Sequence, residues 1–272
     1  MAQMLDRKAV EKPWGKTVLP PPFTDVAGDR IGEIWYEGAA EQALPLLVKY
    51  IFTSERLSIQ VHPNDQEAQA AGLTRGKEEA WYILDCEPDA RLGIGLVEPL
   101  SPDAFRAAAL DGSLEHLIDW KQVQRGDCYF IPAGTVHAIG AGITLAEVQQ
   151  NADITYRIYD YGRPRELHLE QGAAVSHLAP YGRAPVTTRA TGGTKLVSAH
   201  EAPFWLDLVA WEASEEVALP DSDRIWFTPL EGAGTIDGQP WAPGQCWLLD
   251  RRSQLTVFST TSALLAGERP TD

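Results

Sequence analysis

What most constrains the fold of this chain is its punctuation. Nineteen prolines and 23 glycines are spread over 272 residues. Between them the apolar residues fall into runs of about four to eight, the length of strands rather than of long helices. LLVKYIF and LSIQVHP read as two strands joined by the polar turn Thr53–Arg56. EEAWYILDC, DCYFIPAG, ITLAEVQQ and ITYRIYDYG are strand-like in the same way. From Lys195 onward the sequence offers only strands, with Asp237-Gly238 as a hairpin turn between GTI and QPW. Helix is expected in two places. Asn64 caps a short one over DQEAQAAG that stops at Gly72, and Ser101 with Pro102 opens a longer one through SPDAFRAAALDGSLEHLIDW. Residues 1–45 read as irregular, and 163–195 as a polar, proline-containing connection. Many short strands at regular spacing predict a mainly β protein. We expect a jelly roll with helical insertions over residues 1–175 and a smaller β unit over 176–272, or else one continuous double sheet.

Lys and Arg total 23 against 38 Asp and Glu, a formal net charge of −15. Such a chain is a poor partner for nucleic acid or for an anionic membrane. An anionic small ligand would need a local cluster of cations. Cys86, Cys128 and Cys246 are odd in number, far apart and without a C-x-x-C, which suits reduced thiols in the cytoplasm rather than a disulfide framework. The opening MAQMLDRKAVEKPWG lacks the apolar core of a secretion signal. No run of about 18 apolar residues occurs, so neither secretion nor a membrane span is expected.

The chemistry concentrates in GDCYFIPAGTVH, residues 126–137. A strand enters the turn Pro132-Ala133-Gly134, which reverses the chain and delivers His137 at the start of the next strand. This spacing resembles the second conserved motif of the cupin superfamily, whose small barrels hold one ligand inside. That motif's usual Asn, four residues after the His, is Ala141 here, at a position that is not a ligand. Gln60 and His62, in IQVHP, lie two apart on a strand and so share a face. Lys77, Glu79 and Trp81 do the same on the next strand. Gln60, His62, Glu79 and His137 together offer two imidazoles, one carboxylate and one amide oxygen, a borderline-hard donor set suited to Zn, Fe, Mn or Co. His116, His168, His177 and His200 fall outside any such pattern, and Trp35, Trp81 and Trp120 read as core.

Several segments, in order and spacing, resemble the type I mannose-6-phosphate isomerases (phosphomannose isomerases) in their short bacterial form. They are KPWG at 12–15, IGEIWY at 31–36, LSIQVHPND at 57–65, GKEEAWYIL at 76–84, GDCYFIPAGTVHAIG at 126–140 and AEVQQNADITYRIYDYGR at 146–163. The resemblance is dense over about the first 175 residues. Beyond them the chain resembles the family's second cupin-like half, and with no histidine after His200 that half has no metal site of this kind. The resemblance implies one zinc ion per chain, on Gln60, His62, Glu79 and His137. It implies an active-site lysine at Lys77, a glutamate at Glu147 and a catalytic arginine at Arg157. It places Lys49 as a further lysine near the pocket and Trp14 in the pocket wall. Two positions depart from the family pattern. Glu78 replaces a small or neutral residue, and Ala152 stands where the usual N-S-D triplet has Ser, so no hydroxyl is offered there.

The implied reaction interconverts mannose 6-phosphate and fructose 6-phosphate through a cis-enediol, the proton moving between C2 and C1. It needs stabilisation of the developing enediolate, a base at C2–H and a cationic anchor for the phosphate. The metal meets the first need. A metal-bound hydroxide, Glu147 and a lysine of depressed pKa are all open for the second. Lys77 and Arg157 serve the third, or polarise sugar oxygens. Arg157 can instead pair structurally with Asp153 or Asp160, while Arg163 and Arg165 read as linker-surface charges. Two other functions compete, since fold does not settle chemistry. A metal-dependent cupin enzyme of another class, such as an oxygenase, would need iron and oxygen. A non-catalytic sugar-phosphate-binding cupin would have no use for a base.

Overall fold

The structure, a computed structural model, describes residues 2–39, 42–188, 193–213 and 217–270. The chain begins with β1 (Gln3–Met4), β2 (Asp6–Lys16), β3 (Ile31–Glu37), β4 (Leu46–Phe52), β5 (Ile59–Val61), α1 (Asp65–Ala70), β6 (Glu79–Cys86) and β7 (Arg91–Leu96). It continues with α2 (Pro102–Asp111), α3 (Leu114–Leu117), β8 (Ile118–Gln122), β9 (Asp127–Ile131), β10 (His137–Ile139), β11 (Ile143–Gln150), β12 (Tyr156–Tyr159), α4 (Leu169–Val175) and β13 (Val186–Thr187). The last strands are β14 (Thr194–Val197), β15 (Phe204–Trp211), β16 (Ile225–Glu231), β17 (Gly234–Ile236), β18 (Gln239–Trp241), β19 (Trp247–Leu249), β20 (Leu255–Val257) and β21 (Thr261–Glu268).

These elements stack in layers. A seven-stranded sheet, β13-β9-β6-β11-β4-β3-β2, faces a five-stranded sheet, β12-β5-β10-β7-β8, and the two form a jelly roll. Ile51, Trp81, Ile83 and Leu145 of the first meet Leu92, Ile94 and Ile139 of the second between them. Helices α2, α3 and α4 cover the outer face of the five-stranded sheet through Phe105, Leu114 and Ala173. The other face of the seven-stranded sheet, with Ile34, Tyr36, Val48, Tyr50, Ala80 and Val148, packs on Phe204, Leu206, Trp226 and Leu264 of a six-stranded sheet, β1-β19-β16-β21-β15-β14. A three-stranded sheet, β18-β17-β20, closes the far side of that one over Phe227, Ile236 and Trp247. The seven-stranded sheet is therefore covered on both faces, and β11 is buried at every position. Its strands read as continuous apolar runs for that reason.

Most expected elements are present, and three regions differ. Residues 1–45, read as irregular, hold β1, β2 and β3. Strand β2 is an edge strand, exposed over most of its length, so it lacks the apolar alternation that marks a strand. Strand β1 pairs with β19, which builds the start of the chain into the sheet of the C-terminal strands. The long helix expected from Ser101 stops at Gly112, which adopts a left-handed φ of 84°. After α3 the segment IDWKQ becomes β8, paired with β7. The connection 163–195 contains α4, a short helix without a side-chain cap. The hairpin at Asp237-Gly238 forms as expected, with positive φ at both residues (49° and 79°).

Candidate active site

One cavity lies inside the jelly roll, between β4, β6 and β11 on one side and β5, β10 and β12 on the other. Pairing register assembles it. In the seven-stranded sheet one row runs Trp35–Lys49–Glu147–Trp81, and the adjacent row brings Gln149 beside Glu79. In the five-stranded sheet Gln60 has Arg157 on one side and His137 on the other. Period-2 alternation aims these rows inward while Tyr36, Val48, Ala146 and Val148 point outward to the neighbouring core.

Two local devices fix the ends of the strands that carry the candidate metal ligands. Asn64 caps α1 in a reciprocal capping box with Glu67, both bonds at 2.9 Å, a contact worth about 1 kcal/mol. Gly76 then passes so close to Pro63 and Asn64 that a Cβ would lie 2.3 Å from the Asn64 carbonyl carbon. That approach lets Lys77 N–H donate to the Pro63 carbonyl at 3.0 Å and sets Lys77 beside Glu79. On the other side Gly134, at φ 80°, donates its N–H to the His62 carbonyl at 2.8 Å, tying the Pro-x-Gly turn to the end of β5. A Cβ there would also meet the His177 ring at 2.8 Å.

His62, Glu79 and His137 are all buried, and their ligating atoms lie within 4.8 Å of one another. Glu79 Oε2 is 3.4 Å from His62 Nε2, and Glu79 Oε1 is 3.3 Å from His137 Nε2. Each imidazole uses its other nitrogen to donate to a main-chain carbonyl at 2.8 Å, His62 to Ile154 and His137 to Thr135. This fixes the tautomer, leaving the Nε2 lone pairs aimed at a common point. His62 Nε2 and Glu79 Oε1 are buried without a hydrogen-bond partner, an arrangement that is costly in a dry interior unless something binds there. A divalent cation fits this donor set. The Gln60 amide nitrogen sits 3.2 Å from His137 Nε2, with its oxygen near Ser58 Oγ at 3.2 Å. A half-turn of that amide brings the oxygen to the same point. Among the described residues no other group of three such side chains converges.

The electrostatics suit metal binding. Burial, and then the charge of Lys77, push the His62 imidazolium down to about 3, and burial lowers His137 too, so both rings are neutral ligands at neutral pH. Burial works against the charge of Glu79, but Lys77, with Nζ 2.8 Å away, and then His62 and His137 outweigh it and hold the carboxyl well below its usual range. Lys77 in turn is held cationic by Glu79 and Glu147 against its own burial. Glu147 behaves differently. Burial first, then the charge of Glu79, raise its carboxyl above the usual range despite Lys49 at 3.1 Å. Its second oxygen accepts from the Trp81 indole at 2.9 Å.

The remaining expected residues fall around the same cavity. Lys49 is buried and donates to Gln149 Oε1 at 2.5 Å, and Trp14 is buried in the wall. Arg157 lines the cavity and donates to the Glu166 carbonyl at 2.9 Å. Asp160, considered as its ion partner, is instead taken by Arg163 and Arg165, with bonds of 3.0, 2.6 and 2.7 Å. Burial and the neighbouring Arg165 lower the Arg157 guanidinium from its ordinary value. A register shift in β12 after Arg157 turns Tyr159 away from the cavity toward the helices, while Thr155 and Arg157 line it. Four cavity residues escaped sequence reasoning in part or whole. Lys12 and Glu33 come from the strands missed in residues 1–45. Trp35, read as core, is a half-buried wall with Lys49 4.8 Å from its ring centre. Arg165, read as a linker charge, also reaches the cavity. The alternation of IGEIWYE, with Glu33 two residues before Trp35, was the available signal for those two.

Comparison with known proteins places this architecture. No family model matches the chain. Mannose-6-phosphate isomerase ManA of Bacillus subtilis is 34% identical over 204 residues, 61% of this chain and 64% of ManA, so the match spans less than two thirds of that relative. The mannose-6-phosphate isomerase of Streptococcus mutans is 32% identical over 208 residues, 74% of this chain and 65% of its own length. YvyI of B. subtilis, assigned by name to the same isomerases, is 30% identical over 237 residues, covering 81% of this chain and 73% of YvyI. The crystal structure of the B. subtilis mannose 6-phosphate isomerase superposes with a TM-score of 0.82 at 26% identity, over 97% of this chain and 98% of that one. Phosphomannose isomerase of Salmonella typhimurium, at 15% identity and TM-score 0.76, shares the fold over 99% of this chain. Fold and site together define a cupin-type β protein whose barrel holds a buried His-Glu-His group able to take a metal ion. The chain belongs to the mannose-6-phosphate isomerase family.

Proposed function

We propose that this protein interconverts mannose 6-phosphate and fructose 6-phosphate as a zinc-dependent isomerase, with Gln60, His62, Glu79 and His137 holding the ion. The observation that carries the proposal is the meeting, in one cavity, of the neutral-imidazole and carboxylate donor set with a second buried carboxylate of raised proton affinity, Glu147. Bound at the donor set, a divalent ion supplies positive charge for the oxygens at C1 and C2, and zinc suits a reaction with no net electron transfer.

Glu147 serves as the base. It takes the proton from C2 and returns it to C1, and a carboxyl raised above its usual range by burial and Glu79 suits that two-way role. Trp81 and Lys49 hold its two oxygens in place. Lys77, kept cationic next to Glu79, faces the sugar oxygens. The phosphate anchor is Arg157. Lys12, Lys49, Lys77 and Arg165 each have a carboxylate within 3.3 Å, whereas among the described residues the Arg157 guanidinium has the Glu166 carbonyl as its one partner and a buried Nε without one. An arriving phosphate dianion meets that unspent guanidinium, a charge-assisted and directional contact. Trp14 and Trp35 wall the cavity and help exclude water.

In this reading residues 1–175 hold the catalytic machinery and residues 176–272 form a cupin-like unit without a metal site. The cytoplasm is its compartment, in keeping with three free thiols, and no helix among the described residues is long and apolar enough to cross a membrane. The test is a coupled assay with mannose 6-phosphate on metal-stripped protein and again after zinc addition. Turnover restored by zinc supports the proposal. Binding of sugar phosphate with no exchange of the C2 proton in either state identifies a non-catalytic binding protein, and oxygen consumption with bound iron identifies an oxygenase.

A further inference from the structure

A line of alternating charges runs from the mouth of the cavity to the proposed base. Lys12 Nζ lies 3.3 Å from Glu33 Oε1, Glu33 Oε2 lies 3.9 Å from Lys49 Nζ, and Lys49 Nζ lies 3.1 Å from Glu147 Oε1. Glu33, Lys49 and Glu147 are all buried, and the Trp35 indole donates to Glu33 Oε2. Strands β2, β3, β4 and β11 each contribute one member; Lys49 and Glu147 are paired directly across β4 and β11, and Glu33 comes from β3, two residues before Trp35, the partner of Lys49.

Charge balance does not explain Glu33. Lys49 and Glu147 carry equal and opposite charges, as do Lys77 and Glu79. Replacing Lys12 and Glu33 by apolar residues would leave the cavity equally balanced and would spare the cost of taking a carboxylate out of water. What Glu33 adds is a second anion on the opposite side of Lys49. With Gln149 at 2.5 Å and Trp35 beneath it, the ammonium lies between two carboxylates, nearer Glu147 at 3.1 Å than Glu33 at 3.9 Å.

We infer that Glu33 is a positioning residue of the isomerase: by sharing Lys49 with Glu147 it keeps the lysine from neutralising the base, and Lys12 sets how strongly it does so. The inference rests on the proposed function and deepens it. Glu147 is faced by Lys49 from β4, by Glu33 and then Lys12 from β3 and β2, and by Lys77 and Glu79 at the start of β6. Among these, only Glu33 and Lys12 act on the base through Lys49 while touching neither the donor set nor the base.

The test measures kcat and kcat/KM against pH for the zinc-loaded wild type, Glu33→Gln and Lys12→Met, with zinc content and thermal midpoint as controls. Removing the Glu33 charge lets Lys49 commit to Glu147, which favours the ionised base. The acidic limb then moves to lower pH, by about one unit, and plateau kcat falls by about tenfold, with KM little changed. Removing Lys12 has the opposite sign, because Glu33 is then unshared and more negative charge faces Glu147, so the limb moves to higher pH. A role in folding alone cannot give opposite shifts. Profiles that superimpose on the wild type, or that move the same way in both variants, overturn the inference while leaving the isomerase intact. An inactive wild type overturns both.

Discussion

Glu79 is the pivot of the site, and removing its charge tests the electrostatic argument apart from activity. In the metal-free protein Glu79→Gln leaves Lys77 buried, 6% exposed, without its carboxylate at 2.8 Å. Breaking a buried pair from one side costs about 3–5 kcal/mol, because the surviving charge has lost both water and partner. Glu147 lies close enough to help hold the Lys77 charge, so the lower end applies, about 3 kcal/mol. For a chain of this size each kcal/mol moves the thermal midpoint by about 2–4 °C, and the metal-stripped variant should melt about 6–12 °C below the metal-stripped wild type. The double variant Lys77→Met with Glu79→Gln removes both charges and should recover most of that loss. Adding zinc sharpens the comparison. A ligand at a thousandfold its Kd stabilises by about 4 kcal/mol, so the wild type should rise well above its stripped midpoint while both variants barely move. Differential scanning calorimetry of the three proteins, stripped and zinc-loaded, reads every step. A stripped Glu79→Gln within about 2 °C of wild type, or a double variant no better than the single, would show that Lys77 and Glu79 are not the coupled buried pair described here.

Other substitutions separate the roles of the cavity residues. His137→Ala should purify without stoichiometric zinc as well as without turnover, and a variant that keeps the metal removes His137 from the ligand set. Arg157→Ala should retain zinc and the wild-type melting curve but lose about 100-fold in kcat/KM for mannose 6-phosphate, the scale of one or two charge-assisted hydrogen bonds. Near-wild-type kinetics would return the phosphate to one of the lysines. The thiols give a test of burial. Cys246 is pushed up to about 12 by burial, Cys128 is raised by burial and Asp127, and half-buried Cys86 is raised by burial and Asp85. A raised thiol pKa leaves less thiolate at a given pH, so at pH 8 a disulfide reagent should label Cys86 slowly and the other two only after unfolding. Rapid native labelling of all three would contradict the packing between the seven- and six-stranded sheets.

What could be read from the sequence was whatever one strand or one turn encodes by itself. IQVHP shows that Gln60 and His62 share a face, and the Pro-x-Gly turn shows that a strand carrying His137 follows a reversal. Both rest on local rules, the period of two and the conformational freedom of Gly134, and both reappear in the structure. The capping box at Asn64 and the hairpin at Asp237-Gly238 were legible for the same reason. The line from Lys12 to Glu147 was not. Its members are contributed by four strands, and register between strands is set by pairing and burial rather than by any single segment. Strand β2 was invisible because an edge strand facing water has no apolar face to betray its period, yet it delivers Lys12 to the mouth of the cavity. Trp35 misled for the converse reason. It stands among fully buried neighbours, Ile34 and Tyr36, and only alternation distinguishes their side of the sheet from its own. A sheet covered on both faces hides that alternation, since nearly every position is apolar or buried. In such a sheet the informative residues are the charged ones, because a Glu or Lys inside a doubly buried strand has no water to escape to. Glu33, Lys49 and Glu147 satisfy that condition on three adjacent strands, so the polar exceptions within apolar runs trace the wall of the cavity.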